Sequence, residues 1–225
     1  MKFALWKGPW LVASLGGCAG LPPAQMALPS TLVAAVPEPV QGIGISRGGD
    51  FVLGAERGTF QRGKVRLEIF EALSFDRTST RYRLVRSDGS SVQAACRGRQ
   101  TGVALGVLAA NARPFTLECE WSGAVTARMS LNAPSAMPGT RAERSGRFAL
   151  GKVELELKSV HSIQGSPLPL EAPIGYLLSY EGKPVGAIEL NGSVPRLWRP
   201  APGTALAEPV TLAALALALM WDPAN

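Results

Sequence analysis

The sequence predicts a mainly β fold, a duplicated antiparallel strand unit forming a barrel or a two-sheet sandwich around or against one buried C-terminal helix. Three observations carry this expectation. After Phe51, apolar and polar residues alternate with the period of a strand that has one wet face. Charged residues make up only 18% of the 225 residues, while 25 Gly and 18 Pro punctuate them, a balance that suits short strands and many turns better than a helical bundle. A twelve-residue phrase also occurs twice, at Gly58 to Ile69 and at Gly146 to Leu157, with seven identical positions. Such a repeat is read as two copies of one structural unit.

The chain opens differently. Lys2 and Lys7 precede an apolar stretch from Trp10 to Leu15, and Gly16 and Gly17 follow. These are the parts of a secretory signal peptide, placed at residues 1–17. The ending Leu15-Gly16-Gly17-Cys18 resembles the bacterial lipobox. That resemblance implies a diacylglycerol on the Cys18 thiol and cleavage just before it. With Ala19 and not Asp next, it also implies, in a Gram-negative cell, sorting to the outer membrane with the domain facing the periplasm. Residues 18–45 carry Pro22, Pro23, Pro29, Pro37 and Pro39 and sustain no period, so they read as a lipid-anchored tether. A flexible segment of that length reaches roughly 30 Å.

A single β domain is expected over 46–225, from units at about 46–132 and 146–225. In the first unit, Val65, Leu67 and Ile69 alternate with Lys64, Arg66 and Glu68, which predicts a strand with the aliphatic set inward. Arg81 to Arg86 and Val92 to Arg97 flank an Asp88-Gly89 turn, the signal of a hairpin. Phe115, Leu117, Cys119 and Trp121 share one face of a further strand. Cys96 and Cys119 both fall on strands, and in an exported chain whose Cys18 carries lipid they are expected to pair. Two buried thiols or a metal pair are the alternatives, the latter disfavoured because neither Cys has a second ligand at metal spacing. The second unit repeats the order: Val153, Leu155 and Leu157 inward, then strands around Glu181-Gly182. It ends in Pro209 to Trp221, rich in Leu and Ala and apolar on every side, which predicts a buried helix at about 209–221. At 1.5 Å per residue that run spans roughly 20 Å, too short for a bilayer.

This layout, with the stretch Tyr180 to Gly192 as a hairpin before the helix, resembles the tubby-like group, which includes LURP-one-related proteins and phospholipid scramblases. The resemblance implies a closed barrel of about twelve strands around the helix. It places no functional residue on this chain.

Chemistry is sparse. His161 stands alone, without a zinc partner or a nucleophile elbow. The four Asp form no calcium loop, and the pairs Glu118/Glu120 and Glu154/Glu156 are placed on solvent faces. No catalytic residue, metal or cofactor is assigned. Net charge is +6. Removing the leader takes two of the 23 basic residues and leaves 21 against 17 acidic ones. The basic residues are scattered and belong to no nucleic-acid module, so no nucleic-acid partner is expected. Outward alternation makes Arg62, Lys64, Arg66, Arg81 and Arg83 a basic strip for anionic lipid. The expected function is a non-catalytic envelope lipoprotein, held on its membrane by the lipid anchor, that binds lipid or an envelope protein. The alternative is an enzyme of envelope material with a loop-built site.

Overall fold

The computed structural model describes residues 24–70, 73–105, 108–134 and 141–222, leaving out the side chains of 104–113. The leader and Cys18 lie outside the described residues.

Among the described residues, twelve strands form one antiparallel sheet. They are β1 (Glu38–Pro39), β2 (Gly48–Leu53), β3 (Glu56–Ile69), β4 (Leu73–Val85), β5 (Ser91–Leu105), β6 (Leu108–Gly123), β7 (Ala127–Asn132), β8 (Ser145–Leu150), β9 (Val153–Val160), β10 (Gly175–Tyr180), β11 (Lys183–Glu189) and β12 (Arg196–Trp198). Strands β2 to β12 pair in chain order and β12 pairs with β1. Just after β1, Gln41 exchanges two backbone hydrogen bonds with Val52 of β2, at 2.9 and 3.0 Å. That exchange brings the two edges together, so the sheet is a nearly closed barrel and not a sandwich.

The turns follow local chemistry. Gly89 (φ 82°) and the Asp88 carboxylate, which accepts from the Ser90 N–H at 2.8 Å, make the β4–β5 turn. Glu181 (φ 49°) and Gly182 (φ 72°) are both left-handed, as a tight hairpin between β10 and β11 requires.

Helix α2 (Ala207–Leu219) fills the barrel. Every residue in it but Glu208 is buried, which is why its sequence shows no polar face. A twelve-stranded barrel is wide enough for a helix about 10–12 Å across, and Ala213, Ala214, Ala216 and Ala218 keep that helix slim. Tyr82 of β4 donates its hydroxyl hydrogen to the Leu212 carbonyl at 3.0 Å, and Trp121 of β6 donates to the Tyr82 oxygen at 2.7 Å. The helix begins two residues before the expected start and ends at Leu219. Met220 is extended, which lets Trp221 and Asp222 turn onto the barrel rim.

Two expectations are corrected here. Residues from 24 to 45 are not a tether. Met26, Leu32, Val40 and Ile43 are buried, and α1 (Ser30–Val33) packs against β11. The buried Glu189 carboxylate accepts from the Met26 N–H at 2.7 Å and also holds Arg196, fixing this strap over β11 and β12. Prolines suit an extended strap as well as a flexible linker, so composition alone did not separate them.

The repeated phrase is not one structure used twice. Its first half matches: Phe60 and Phe148 both point into the core, and Gly58 and Gly146 both lie where a Cβ would strike the neighbouring strand, at the Arg83 carbonyl and at the Ser130 carbonyl. After that the copies part. Gly63 lies inside the continuous strand β3, whereas Gly151 (φ 58°) turns the chain from β8 into β9.

Candidate functional site

Strands β3 to β6 are the longest in the sheet and run past the rim where α2 ends. There a concavity of about 630 Å³ opens. Its floor is Leu217, Ala218, Met220 and Trp221 at the end of the helix; Pro173, Leu190 and Pro195 form one side; Arg47, Arg62, Lys64 and Arg66 form the other.

The basic wall comes from strand parity. Phe60 faces the core, so a period of two puts Arg62, Lys64 and Arg66 on the same inner side, and Val65, Leu67 and Ile69 outside. The expected alternation is present in β3, with its two faces exchanged. Val65 and Leu67 lie on the outer side, 66% and 57% exposed, while the inner side of β3 lines the open mouth with Lys64 and Arg66.

Arg62 is thereby corrected from an outward residue to a buried one, 8% exposed. Its guanidinium donates to the carbonyls of Ser46 (2.9 Å), Gly44 (2.5 Å) and Ile43 (3.4 Å) and lies between the rings of Phe60 and Trp221, 5.2 and 5.1 Å from their centroids. Carbonyls and rings leave its charge in place, and burial pushes its pKa down from the usual arginine value. Arg66 is paired with Asp76 on β4 at 2.7 Å, and that partner holds its pKa above the ordinary value.

Opposite this wall, Arg144 closes the rim. It donates to both Asp222 carboxylate oxygens, at 2.6 and 2.8 Å, and to the Tyr176 hydroxyl at 3.1 Å, while stacking 4.1 Å from the Phe115 ring. No feature in the sequence singled out Arg144. At the far end of the barrel Arg199 does comparable work, donating to Glu38 (2.8 Å), Glu56 (3.0 Å) and Thr211 (2.9 Å).

The structure separates the remaining basic pair from the mouth. Arg81 and Arg83 face outward on β4 in a shallow groove of about 830 Å³ that also includes Asp50, Glu120 and Arg128. Arg81, Ala95, Glu120 and Arg128 are neighbours in register across β4 to β7, so an acidic group lies between the two basic ones there. The predicted strip of five is therefore two sites.

Cys96 and Cys119 are cross-strand neighbours on β5 and β6 and form a disulfide. His161 is buried, with Nε2 2.9 Å from the Ser159 Oγ and Nδ1 3.1 Å from the Leu170 carbonyl. Ser159 Oγ also accepts from the Arg144 N–H at 2.8 Å. Both of its hydrogen-bonding roles are used inside the wall, so the pair reads as a structural clip. Among the described residues no group of three His, Cys, Asp or Glu is arranged to hold a metal, and no helix is long and apolar enough to cross a membrane.

Comparison with family models, curated proteins and solved structures finds no match.

The buried phenols make alkaline pH a test of this packing. Burial pushes the Tyr82 pKa well above its ordinary value of 10, with the Trp121 hydrogen bond opposing. Burial also raises Tyr176, against the lowering effect of Arg144. A phenol whose folded pKa is raised stabilises the fold fully below pH 10 and loses that contribution as pH climbs above it. Each such tyrosine gives a slope of about 1.4 kcal/mol per pH unit. Urea midpoints at pH 9, 10 and 11 are expected to be level up to pH 10 and then fall. The phenolate absorbance of Tyr82 and Tyr176 is expected to appear only as the near-UV circular dichroism is lost.

Proposed function

We propose that this protein is an outer-membrane-anchored periplasmic lipoprotein whose barrel is a non-catalytic binding module, with an anionic amphiphile as the occupant of its mouth. The observation that carries this reading is the meeting of a basic wall (Arg47, Arg62 and Lys64) with an apolar floor (Leu217, Met220 and Trp221) in one concavity. The wall suits a phosphate or carboxylate headgroup, through charge-assisted hydrogen bonds. The floor suits the first part of an acyl chain. A volume of about 630 Å³ is within the range that encloses a small ligand. The anchor rests on Gly16-Gly17-Cys18, and the choice of membrane on Ala19. The resemblance in layout to the tubby-like group is supported by the nearly closed barrel around a C-terminal helix.

The mature chain carrying Cys18→Ser, mixed with phosphatidylglycerol or phosphatidylcholine in detergent and observed by native mass spectrometry, tests this. A one-to-one adduct with phosphatidylglycerol is expected. The Arg47→Gln/Lys64→Gln variant is expected to weaken it about tenfold or more, since hydrogen bonds to charged groups contribute about 1.5–3 kcal/mol. No adduct, or full retention by the variant, would falsify the mouth as a lipid site.

A further inference from the structure

The β3–β4 hairpin continues past the mouth, and its two faces differ. Register places Leu67 beside Phe75, and Ile69 beside Leu73 and then Val103 of β5, all on the outer face. Ile69 is 39% exposed, and Phe70 at the apex is 95% exposed with a left-handed backbone (φ 53°). One row back, Val65 is in register with Arg77 and Arg99, both exposed. At about 3.3 Å per residue, the apolar rows reach roughly 16 Å from Val65 to Phe70. The inner face of the same hairpin is polar, with Arg66 and Asp76 paired toward the mouth. A soluble surface scatters its apolar residues singly, so a contiguous apolar tip collared by arginines calls for a partner.

The path of the chain says which partner. Ala24 is fixed at this same rim: its carbonyl accepts from the Asn191 side chain at 2.5 Å, and Met26 bridges to Ile163 beside it. On the lipid-anchored reading, six residues, Cys18 to Pro23, run from the acylated cysteine to it. Even fully extended they span only roughly 20 Å.

We infer that the β3–β4 hairpin tip is a membrane-docking element, which seats Leu67, Ile69, Phe70 and Phe75 in the apolar margin of the leaflet that holds the Cys18 lipid and sets Arg77 and Arg99 at its anionic headgroups. The mouth then opens onto that leaflet, and an amphiphile passes from bilayer to barrel without crossing water. The orientation rests on the lipid-anchored reading above but not on occupancy of the mouth. An apolar face buried with a basic collar at the phosphate level is the arrangement that interfacial elements use.

Two measurements test it. The lipid-anchored protein is reconstituted into phosphatidylglycerol vesicles with brominated acyl chains, carrying either Phe70→Trp or, at the opposite barrel end, Ser87→Trp. Fluorescence above the parent background is expected to be quenched for the first and unchanged for the second. The Cys18→Ser chain is also floated with anionic or zwitterionic vesicles. Binding to the anionic ones is expected to fall about tenfold or more in Leu67→Ser/Phe70→Ser, the effect of losing on the order of 1.4 kcal/mol, with the far-UV spectrum unchanged. An unquenched Phe70→Trp probe, or equal flotation of parent and double variant, overturns the inference. So does a dimer in solution that Phe70→Ser dissociates, since the tip would then be an interface between copies. Because the mouth is assayed separately by its detergent adduct, an adduct accompanied by an unquenched tip sinks the docking element alone.

Discussion

Replacing Asp222 with alanine is expected to cost about 3–5 kcal/mol, because it strands the Arg144 charge in the barrel wall. The Arg144 side chain is 1% exposed and Asp222 is the only carboxylate described beside it. Burial works against the guanidinium charge, yet Tyr176 and Asp222 together hold its pKa above the ordinary value. Without Asp222, the Tyr176 hydroxyl and the Phe115 ring are weak compensation for a charge removed from water. In a β domain of about 200 residues such a loss lowers Tm by roughly 10 °C, at about 2–4 °C per kcal/mol. Asp222→Asn keeps an acceptor and is expected to lose less. The double variant Arg144→Met/Asp222→Leu should recover most of the stability, since a buried pair replaced by apolar residues of similar volume is often neutral or better. Urea unfolding of the four proteins decides it. If Asp222→Ala and the double variant fall equally, the pair is not what closes the rim.

That contact also marks where the sequence stopped being legible. The alternation of Phe115, Leu117, Cys119 and Trp121 was enough to put all four on one face, and that face is buried. The all-round apolar run before Pro223 was enough to place a helix in the core. Both depend on local periodicity acting over a continuous core. Arg144 looked like one of many scattered arginines because its partners stand 32 and 78 residues away, at Tyr176 and Asp222. The direction of β3 failed for a related reason. Period two specifies two faces but does not name the inner one, and the usual assumption that the aliphatic face is inner holds only while there is a core to face. Past the rim the core ends, and charged Lys64 and Arg66 become the inner residues. The repeat misled through its second half, where an identical Gly-Lys-Val serves as mid-strand at Gly63 and as a turn at Gly151. A glycine permits both conformations, and the tertiary ladder decides between them.

The candidate site follows from the same geometry. The barrel strands are of unequal length, with β3 to β6 at 13 to 16 residues and β7 to β12 at 8 or fewer. Unequal strands leave one wall standing above the helix end. That wall must be wettable on its inner side, since water enters the mouth, and this favours Lys and Arg there. Its outer side is exposed as well, and there Val65, Leu67, Ile69 and Phe70 stand beside Arg77 and Arg99, an apolar tip with a basic collar that the proposed docking accounts for. Mouth chemistry and tip chemistry are thus two faces of one strand, with Arg62 marking the level at which the barrel core gives way to the open rim.

Reducing the Cys96–Cys119 disulfide is expected to lower stability by about 3 kcal/mol while leaving the folded barrel intact. The two residues are 23 apart, and closing a loop of that size removes about 3 kcal/mol of chain entropy from the unfolded state. The native state has little need of the bond. Cys96 and Cys119 are already set opposite each other by the β5–β6 ladder, which continues on both sides of them. Below them the Trp121 indole is anchored to Tyr82, so the hairpin keeps its register. The reduced protein should therefore keep its near-UV spectrum and unfold at lower urea, with an m-value no smaller than that of the oxidised form, because the unfolded chain becomes freer to expand. Single variants such as Cys96→Ala leave one buried thiol and lose the cross-link, so they should match the reduced protein plus a small packing loss at a site 3% exposed. Loss of the near-UV spectrum on reduction would instead mean that the bond holds the register and the ladder does not. The long strands β5 and β6, which form part of the wall above the mouth, would then depend on an oxidising compartment to exist at all.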